Sequence, residues 1–219
     1  MKRDDNMSYY NSWQSLSNYT YVRLLNAIPG SPGIDVYMNG ESVAENLEYA
    51  QFTNYLIKGS DTYTLEAYKH NTYDEPIISI RLYLFANTYY TIPLIGTMEL
   101  PEIELIADRP SAEETRADLS YIRFVNLSPN SNMSNIDIDG VPIIYHLHYM
   151  EVSNYLPLTK CNFSLSVIVD NKTYTYPDIK LNFKKYYTIY ILGYSKGLEP
   201  GITVEVSEEG RGNIVFSSY

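Results

Sequence analysis

The chain of 219 residues carries the same sequence block twice. The block YVRLLNAIPGSPGIDVYMNG, which starts at Tyr21, aligns without a gap with YIRFVNLSPNSNMSNIDIDG, which starts at Tyr121. The register continues through YAQFTNYL and YMEVSNYL, and it slips by three residues before YYTIPLIG at Tyr89 and YYTIYILG at Tyr186. Because about 100 residues are enough to form a core, this duplication predicts two tandem domains.

The segments that do not repeat mark the expected domain boundaries. The duplicated blocks place one domain at residues 20–108 and the other at residues 120–209. Residues 109–119 between them are polar and contain a proline near their start, so we expect a linker there. Residues 1–19 and 210–219 have no counterpart and are predicted to be an N-terminal tail and a C-terminal strand-like tail.

Both copies consist of short runs rich in Val, Ile, Thr and Tyr that are bounded by Gly, Pro, Asn or Asp. The apolar residues alternate with a period of two, which is typical of β-strands. We expect about seven strands per copy and an all-β fold of two tandem immunoglobulin-like antiparallel β-sandwiches. Asn39-Gly40 and Asp139-Gly140 fit tight hairpin turns. The only helices expected lie at residues 111–117 and near residues 42–49.

The composition excludes several partners. The net charge of −10, from 16 basic and 26 acidic side chains, opposes binding to nucleic acid and to anionic lipid. No apolar run approaches the ~20 residues of a membrane-spanning helix, so we expect no membrane insertion. The 24 Tyr, against 6 Phe and 1 Trp, instead favour half-buried strands and contact surfaces.

The N-terminal Met1-Lys2-Arg3 is not followed by the apolar core of a secretory signal. We therefore expect synthesis in the cytoplasm without a Sec signal. From there the protein either stays in the cytoplasm or is deposited on the spore or cell surface by another route. A trimmed sequence is the third explanation.

The duplicated block contains three specific elements: an R-x-x-N-x-x-P-x-x-x-x-I-D-V-Y-x-N-G segment, a Y-x-x-F-x-x-Y-L block and a Y-T-I-x-x-x-G strand. In the first copy these contain Arg23, Asn26, Pro29, Ile34, Asp35, Val36, Tyr37, Asn39, Gly40, Tyr49, Phe52, Tyr55, Leu56 and residues 90–96. The second copy departs from the pattern, with NIDID at residues 135–139. With these elements the block resembles the bacterial family called domain of unknown function 4397. The resemblance covers about residues 21–206 and implies tandem β-sandwiches of envelope or surface proteins, with no established activity.

Few side chains suit catalysis or metal binding. The chain has three histidines, His70, His146 and His148, and one cysteine, Cys161. The His146-x-His148 pair has the spacing of two ligands on one strand face, but no third ligand is near it in sequence. We expect exposed histidines and a buried structural thiol at Cys161. We therefore expect no enzymatic activity, no catalytic, cofactor-binding or metal-binding residues, and no cofactor.

Five charged residues have structural explanations. Asp35, Asp137 and Asp139 lack the dense spacing of a calcium loop, so we interpret them as turn caps. Arg23 and Arg123 recur within apolar strands, where alternation puts them on the face opposite the core. There each would contact an acidic neighbour at the solvent face. The alternative is that each arginine holds the proline loop that follows it.

Two classes of function fit these features. The first is a non-enzymatic structural protein of a cell-surface or spore-surface layer, whose partners are further copies of itself or other surface-layer proteins. It would assemble through sheet edges and terminal segments, above all GNIVFSSY, which either packs on its own domain or adds to a neighbouring chain. The alternative is a surface binding or adhesion module for carbohydrate or peptide, contacted by exposed Tyr and Trp.

Overall fold

The computed structural model describes residues 18–109, 116–210 and 214–215. These residues form strands and contain no helix, which confirms the all-β class. The first domain contains β1 (Tyr19–Asn26), β2 (Ile34–Met38), β3 (Glu41–Leu47), β4 (Tyr55–Gly59), β5 (Thr62–Lys69), β6 (Ile78–Tyr83), β7 (Tyr89–Gly96), β8 (Pro101–Ile103) and β9 (Ile106–Asp108). The second contains β10 (Ser120–Asn126), β11 (Met133–Ile138), β12 (Val141–His148), β13 (Leu156–Leu158), β14 (Asn162–Val169), β15 (Lys172–Lys180), β16 (Tyr186–Leu192) and β17 (Thr203–Glu208), and β18 (Ile214–Val215) follows it.

Each domain is a sandwich of two sheets, as expected. In the first domain the inner sheet has the order β18-β4-β1-β7-β8, with β9 also paired to β7, and the outer sheet has the order β3-β2-β5-β6. In the second domain the inner sheet is β13-β10-β16-β17 and the outer sheet is β12-β11-β14-β15. Most pairs are antiparallel, but β1 runs parallel to β7, β10 to β16 and β18 to β4.

The predicted hairpin turns are present at the same place in both domains. Asn39 and Asp139 have φ of 51°, and the glycines after them also have positive φ. The side chain of each turn residue accepts a hydrogen bond from a backbone amide of the strand on the other side of the hairpin, Thr64 of β5 (2.8 Å) or Ser164 of β14 (2.8 Å). These two turns therefore join β2 to β3 and β11 to β12 in the same way.

The two inner sheets face each other, so the molecule has four layers of sheet. Each domain has its own apolar core between its inner and outer sheets. A third apolar cluster lies between the domains and consists of Leu25, Ala27, Ile95, Ile106, Val125, Leu127, Tyr190 and Leu192. Strands β1 and β10 are therefore buried on both faces, one against their own core and one against the other domain.

The expectation of a helix near residues 42–49 is wrong. Residues 41–47 form β3, and the equivalent residues 141–148 of the second copy form β12, a strand that the sequence pattern did not predict. Both are edge strands with mostly exposed or half-buried side chains, so their composition lacks the apolar alternation of a buried strand. The other predicted helix, at residues 111–117, falls mainly outside the described residues.

The described part of the C-terminal tail crosses to the other domain. In β18, Ile214 pairs with Tyr55 and Val215 with Leu56 of β4, in parallel orientation. The described residues of the tail thus pair with the first domain and not with their own, which was one of the two expected arrangements. Pairing with a neighbouring chain stays a prediction. The N-terminal tail as far as residue 17, with its single Trp, lies outside the described residues. No described helix is long and apolar enough to cross a membrane.

Candidate functional site

A chain of polar contacts joins β1, β7 and β9 on the side of the first domain that faces the second. The Arg23 Nε donates to Thr91 Oγ1 (2.8 Å), and Thr91 donates to Asp108 Oδ2 (2.5 Å). The Tyr55 hydroxyl, from β4, donates to the same carboxylate oxygen (2.7 Å). The Asp108 side chain is completely buried, and these contacts replace the water that it loses.

The second domain repeats this arrangement. Arg123 Nε donates to Thr188 Oγ1 (2.8 Å), and Thr188 donates to Glu209. The Tyr155 hydroxyl donates to Glu209 Oε2 (2.5 Å). Glu209 thus occupies the position of the first domain's buried aspartate, although the two acids do not align in the sequence.

Each arginine also reaches into the opposite domain. Arg123 donates to Asp108 Oδ1 (2.8 Å) and to the backbone oxygen of Ala107 (2.9 Å). Arg23 donates to Ser207 Oγ (2.5 Å) and to the backbone oxygen of Glu208 (3.0 Å). These crossed contacts connect the two inner sheets at their centre.

Aromatic rings and burial separate these charges from water. The Arg23 guanidinium lies 4.7 Å from the centre of the Tyr55 ring, and that of Arg123 lies 4.9 Å from the Tyr155 ring. Burial and the nearby Asp108 carboxylate raise the pKa of Glu209, against the opposing effect of Arg123. A cleft of ≈ 470 Å³ reaches Arg23, whose Nη2 makes only the ion pair with Asp108 at 3.5 Å. The crossed contacts hold the two inner sheets together, so we assign the network to joining the domains.

The expected solvent-facing position of Arg23 and Arg123 is wrong, because both are about 5% exposed. Alternation does put them opposite the core, but that face is covered by the other domain. The proline loops are held instead by the recurring Asn26 and Asn126. Asn26 Oδ1 accepts from the Ile28 backbone amide (3.2 Å), and Asn126 Oδ1 accepts from the Ser128 backbone amide (3.1 Å).

The outer sheet of the first domain carries a second group of polar residues, centred on Asp35 of β2. This carboxylate accepts hydrogen bonds from the backbone amide of Asn46 (2.7 Å) and from the Tyr73 hydroxyl (3.2 Å). His70 Nδ1 lies 2.9 Å from it, and the Asn71 amide donates to it at 3.3 Å. Asp35 is therefore a buried acceptor within a strand, and the interpretation of it as a turn cap is wrong.

Three tyrosines surround this carboxylate, and we call Tyr37, Tyr68 and Tyr73 the tyrosine cluster. Their ring centres lie 5.8 to 6.3 Å apart in edge-on or tilted contacts. Tyr73 is 57% exposed, and the other two are half-buried. The cluster thus presents aromatic surface and hydroxyl groups to solvent on the outer sheet.

The ionisation states of the cluster suit hydrogen bonding. A hydrogen bond with Tyr37, burial and the Asp35 carboxylate raise the pKa of Tyr73 to about 12. Burial and the nearby Glu66 also raise the pKa of Tyr68. Burial raises the pKa of Asp35, but the hydrogen bonds from Asn46, His70 and Asn71 outweigh it and lower that pKa. At neutral pH Tyr68 and Tyr73 are therefore neutral phenols beside the ionised Asp35 carboxylate.

The second domain has no equivalent cluster. Asp137 takes the place of Tyr37, and Ile168 takes the place of Tyr68 in the strand register. Asn135 replaces Asp35 and keeps only its structural role, since it accepts from the backbone amide of His146 (2.9 Å) as Asp35 does from Asn46. The aromatic surface is therefore specific to the first domain.

The remaining predicted positions do not form a site. His146 and His148 lie exposed on β12, and no group of three His, Cys, Asp or Glu among the described residues could hold a metal ion. Asp139 caps its turn as predicted, whereas Asp137 lies half-buried on β11. Cys161 is half-buried, so the expectation of a buried thiol is wrong.

One cleft distinguishes the two sandwiches. In the second domain a cleft of ≈ 400 Å³ opens between the outer and inner sheets, lined mainly by apolar residues such as Val141 and Leu158. In the first domain the equivalent positions are Glu41 and Lys58, whose charged groups meet at 2.6 Å across the gap. This ion pair covers the first core at the place where the second domain is open.

The comparison with protein families agrees with this architecture. The family model described as domain of unknown function (DUF4397) matches residues 20–131 and 120–215. The chain belongs to this family. The two matches correspond to the two sandwiches, and Asp35 and Tyr37 of the outer-sheet site lie in the motif that carried the resemblance. A search of curated proteins finds no match.

Solved structures are matched only weakly. A family 26 carbohydrate-binding module of Eubacterium rectale Amy13K, in complex with maltoheptaose, is 10% identical, with 89% of this chain and 98% of that chain covered and a TM-score of 0.27. A candidate cell adhesion protein of Parabacteroides distasonis is 10% identical, with 91% and 98% covered and a TM-score of 0.23. One from Bacteroides fragilis is 9% identical, with 89% and 98% covered and a TM-score of 0.20. Scores of this size establish neither a common fold nor a common ligand.

Proposed function

We propose that this DUF4397 protein is a non-catalytic binding module of the cell surface, and that the tyrosine cluster binds a carbohydrate. The observation that carries the proposal is a group of three tyrosines, one exposed and two half-buried, around an ionised carboxylate, present in one repeat and replaced in the other. Tyrosine rings pack on the apolar face of a sugar, while their hydroxyls bond to its polar edge. Deposition on a spore stays a prediction from the sequence.

A neutral sugar suits this surface better than an anionic one. The chain has a net charge of −10, and Asp35 and Glu66 lie within or beside the cluster. Like charges across a contact oppose binding, so sulfated or strongly acidic glycans are disfavoured. A peptide is the alternative ligand, since aromatic surfaces also bind extended Pro-rich peptides.

The chemistry of the cluster argues against catalysis. The lowered pKa of Asp35 makes it a poor proton donor at neutral pH, and four donors already surround its oxygens. An acid or base in an active site needs a pKa near the working pH and access to substrate. Asp35 therefore acts as the fixed acceptor that orients His70 and Tyr73.

The test is a neutral-glycan array followed by calorimetry with a selected ligand. Tyr73→Ala should weaken binding by about tenfold or more, the loss expected for a central aromatic contact. Tyr145→Ala is the matched control, because Tyr145 is similarly exposed but lies on β12 of the second domain. Absence of any glycan ligand, or equal affinity of the Tyr73→Ala variant and the wild type, would reject the proposal.

A further inference from the structure

Strand β6 is the last strand of the first domain's outer sheet, and no described strand pairs with its outer side. Its side chains are more exposed than its largely apolar sequence, ISIRLY, would predict. Ile80 is 42% exposed and Tyr83 is 48% exposed. An uncovered edge with exposed apolar side chains is a template for pairing with another strand.

The equivalent edge of the second domain carries the protection that β6 lacks. Strand β15 contains Pro177, and the next residue, Asp178, has φ of 65° where the register with β14 shifts. Lys172 and Lys180 lie at its two ends. Proline, a bulge and lysine are the devices by which proteins keep edge strands from pairing. β6 has no proline, no lysine and no register shift.

The free hydrogen-bonding groups of β6 can be assigned from its register. The Leu84 amide donates inward to the Asp61 backbone oxygen (3.0 Å), in line with the pairing of β5 and β6. Because bonding alternates along an antiparallel pair, the backbone groups of Ser79, Arg81 and Tyr83 point outward. Three consecutive outward positions are thus available to a second strand.

We propose that a second copy of this chain pairs with β6 in antiparallel orientation, about a twofold axis at Ile80. This register places Ile80 opposite its own copy, and it places Arg81 opposite Ser79 of the second copy. Within each copy, Ser79 pairs with Glu66 of β5. Arg81 of one copy and Glu66 of the other are therefore separated by a single strand, with about 10 Å between their backbones. A register centred on Arg81 would bring two arginines together and is disfavoured.

Charge complementarity supports this occupant. Arg81 makes no ion pair with any described acidic residue, so its charge is free to meet a partner. The two ion pairs formed across the axis would be reciprocal, as a twofold contact requires. The contact joins two outer sheets into one sheet of eight strands, which places both tyrosine clusters on the same face. A ligand with repeated units could then bind both copies.

The experiment is sedimentation or light scattering of the full chain over a range of concentrations. Wild type should form a dimer, and Arg81→Glu or Glu66→Arg alone should raise the dimer dissociation constant by tenfold or more. The double variant should restore the wild-type dissociation constant, because the same two ion pairs then form with reversed charges. Ser79→Pro removes only an outward amide, so it should fold and remain monomeric. Lys180→Glu on β15 is the matched control and should dimerise like wild type.

Two results would overturn the proposal. One is a wild-type chain that stays monomeric at the highest concentration reached. The other is a dimer whose stability is unchanged by Arg81→Glu and by Ser79→Pro, with both variants folded by circular dichroism. The Tyr73 ring packs on Tyr37 of β2 and Tyr68 of β5, so Tyr73→Ala should dimerise normally and the result is independent of glycan binding.

Discussion

Replacement of Asp108 by asparagine tests whether the buried charge network holds the domains together. Asp108→Asn keeps the shape of the side chain but removes its negative charge. In the folded protein this carboxylate accepts from Tyr55 (2.7 Å), Thr91 (2.5 Å) and Arg123 (2.8 Å), and it is fully buried. The amide group cannot accept all three bonds, and two buried arginines would then share Glu209 as their remaining carboxylate.

Removal of one partner from a buried charge pair costs about 3–5 kcal/mol, because the remaining charge has lost both water and its counter-ion. For a chain of this size, 1 kcal/mol corresponds to about 2–4 °C in melting temperature. The Asp108→Asn variant should therefore melt about 6–20 °C below wild type. Urea unfolding followed by circular dichroism gives the free energy directly.

The matched control is Asp118→Asn. Asp118 forms an ion pair with Arg116 (2.8 Å), but both side chains are more than 60% exposed. Solvent screens an exposed pair, which therefore contributes little, and this variant should melt close to wild type. If Asp108→Asn also lies within 1 kcal/mol of wild type, the network does not stabilise the contact between the domains and the structural reasoning fails.

Two further results are expected. The pKa of Asp35 is below the value of 3.8 of the unfolded chain, so its ionised form stabilises the fold above that pH, and this contribution is lost as the pH falls through the folded value. Asp35→Asn, which copies Asn135, should therefore flatten the acid limb of the stability–pH curve, and an unchanged slope would contradict this. Residues 18–109 and 116–219, expressed separately, should each melt below the whole chain because the cluster between the domains becomes exposed. Equal melting temperatures would contradict a stabilising contact between the domains.

The sequence predicts the repeated architecture well because local signals carry it. Alternating Val, Ile and Tyr residues define the buried strands, and Asn-Gly and Asp-Gly define the turns with positive φ. β3 was missed for the converse reason. Its residues Glu41–Leu47 include Glu, Ala and Glu, which favour helix, and only pairing with β2 makes them a strand.

The buried position of Arg23 was harder to predict. Alternation locates the face on which a side chain lies, but not what covers that face. One signal was available in the sequence: Leu24 and Leu25 are consecutive apolar residues, which is typical of a strand that is covered on both faces. Both are buried in the structure. Asp108 and Glu209 gave no such signal, because they differ in type and fall beyond the slip in the repeat register.

The divergence of the two repeats indicates how the domains divide their roles. The contact between the inner sheets joins two nearly equivalent surfaces. Arg23 and Arg123, with the threonines and tyrosines around them, hold this contact from both sides, so the contact requires both arginines. The outer sheets are free of this constraint, and there the repeats differ. The outer sheet of the second repeat has a protected edge strand that contains Pro177. The outer sheet of the first repeat has the tyrosine cluster, with Tyr37, and the unprotected edge strand β6. If the outer face of the first domain binds the ligand, Tyr37→Asp, which copies Asp137 of the second repeat, should weaken glycan binding while leaving the inner contact intact.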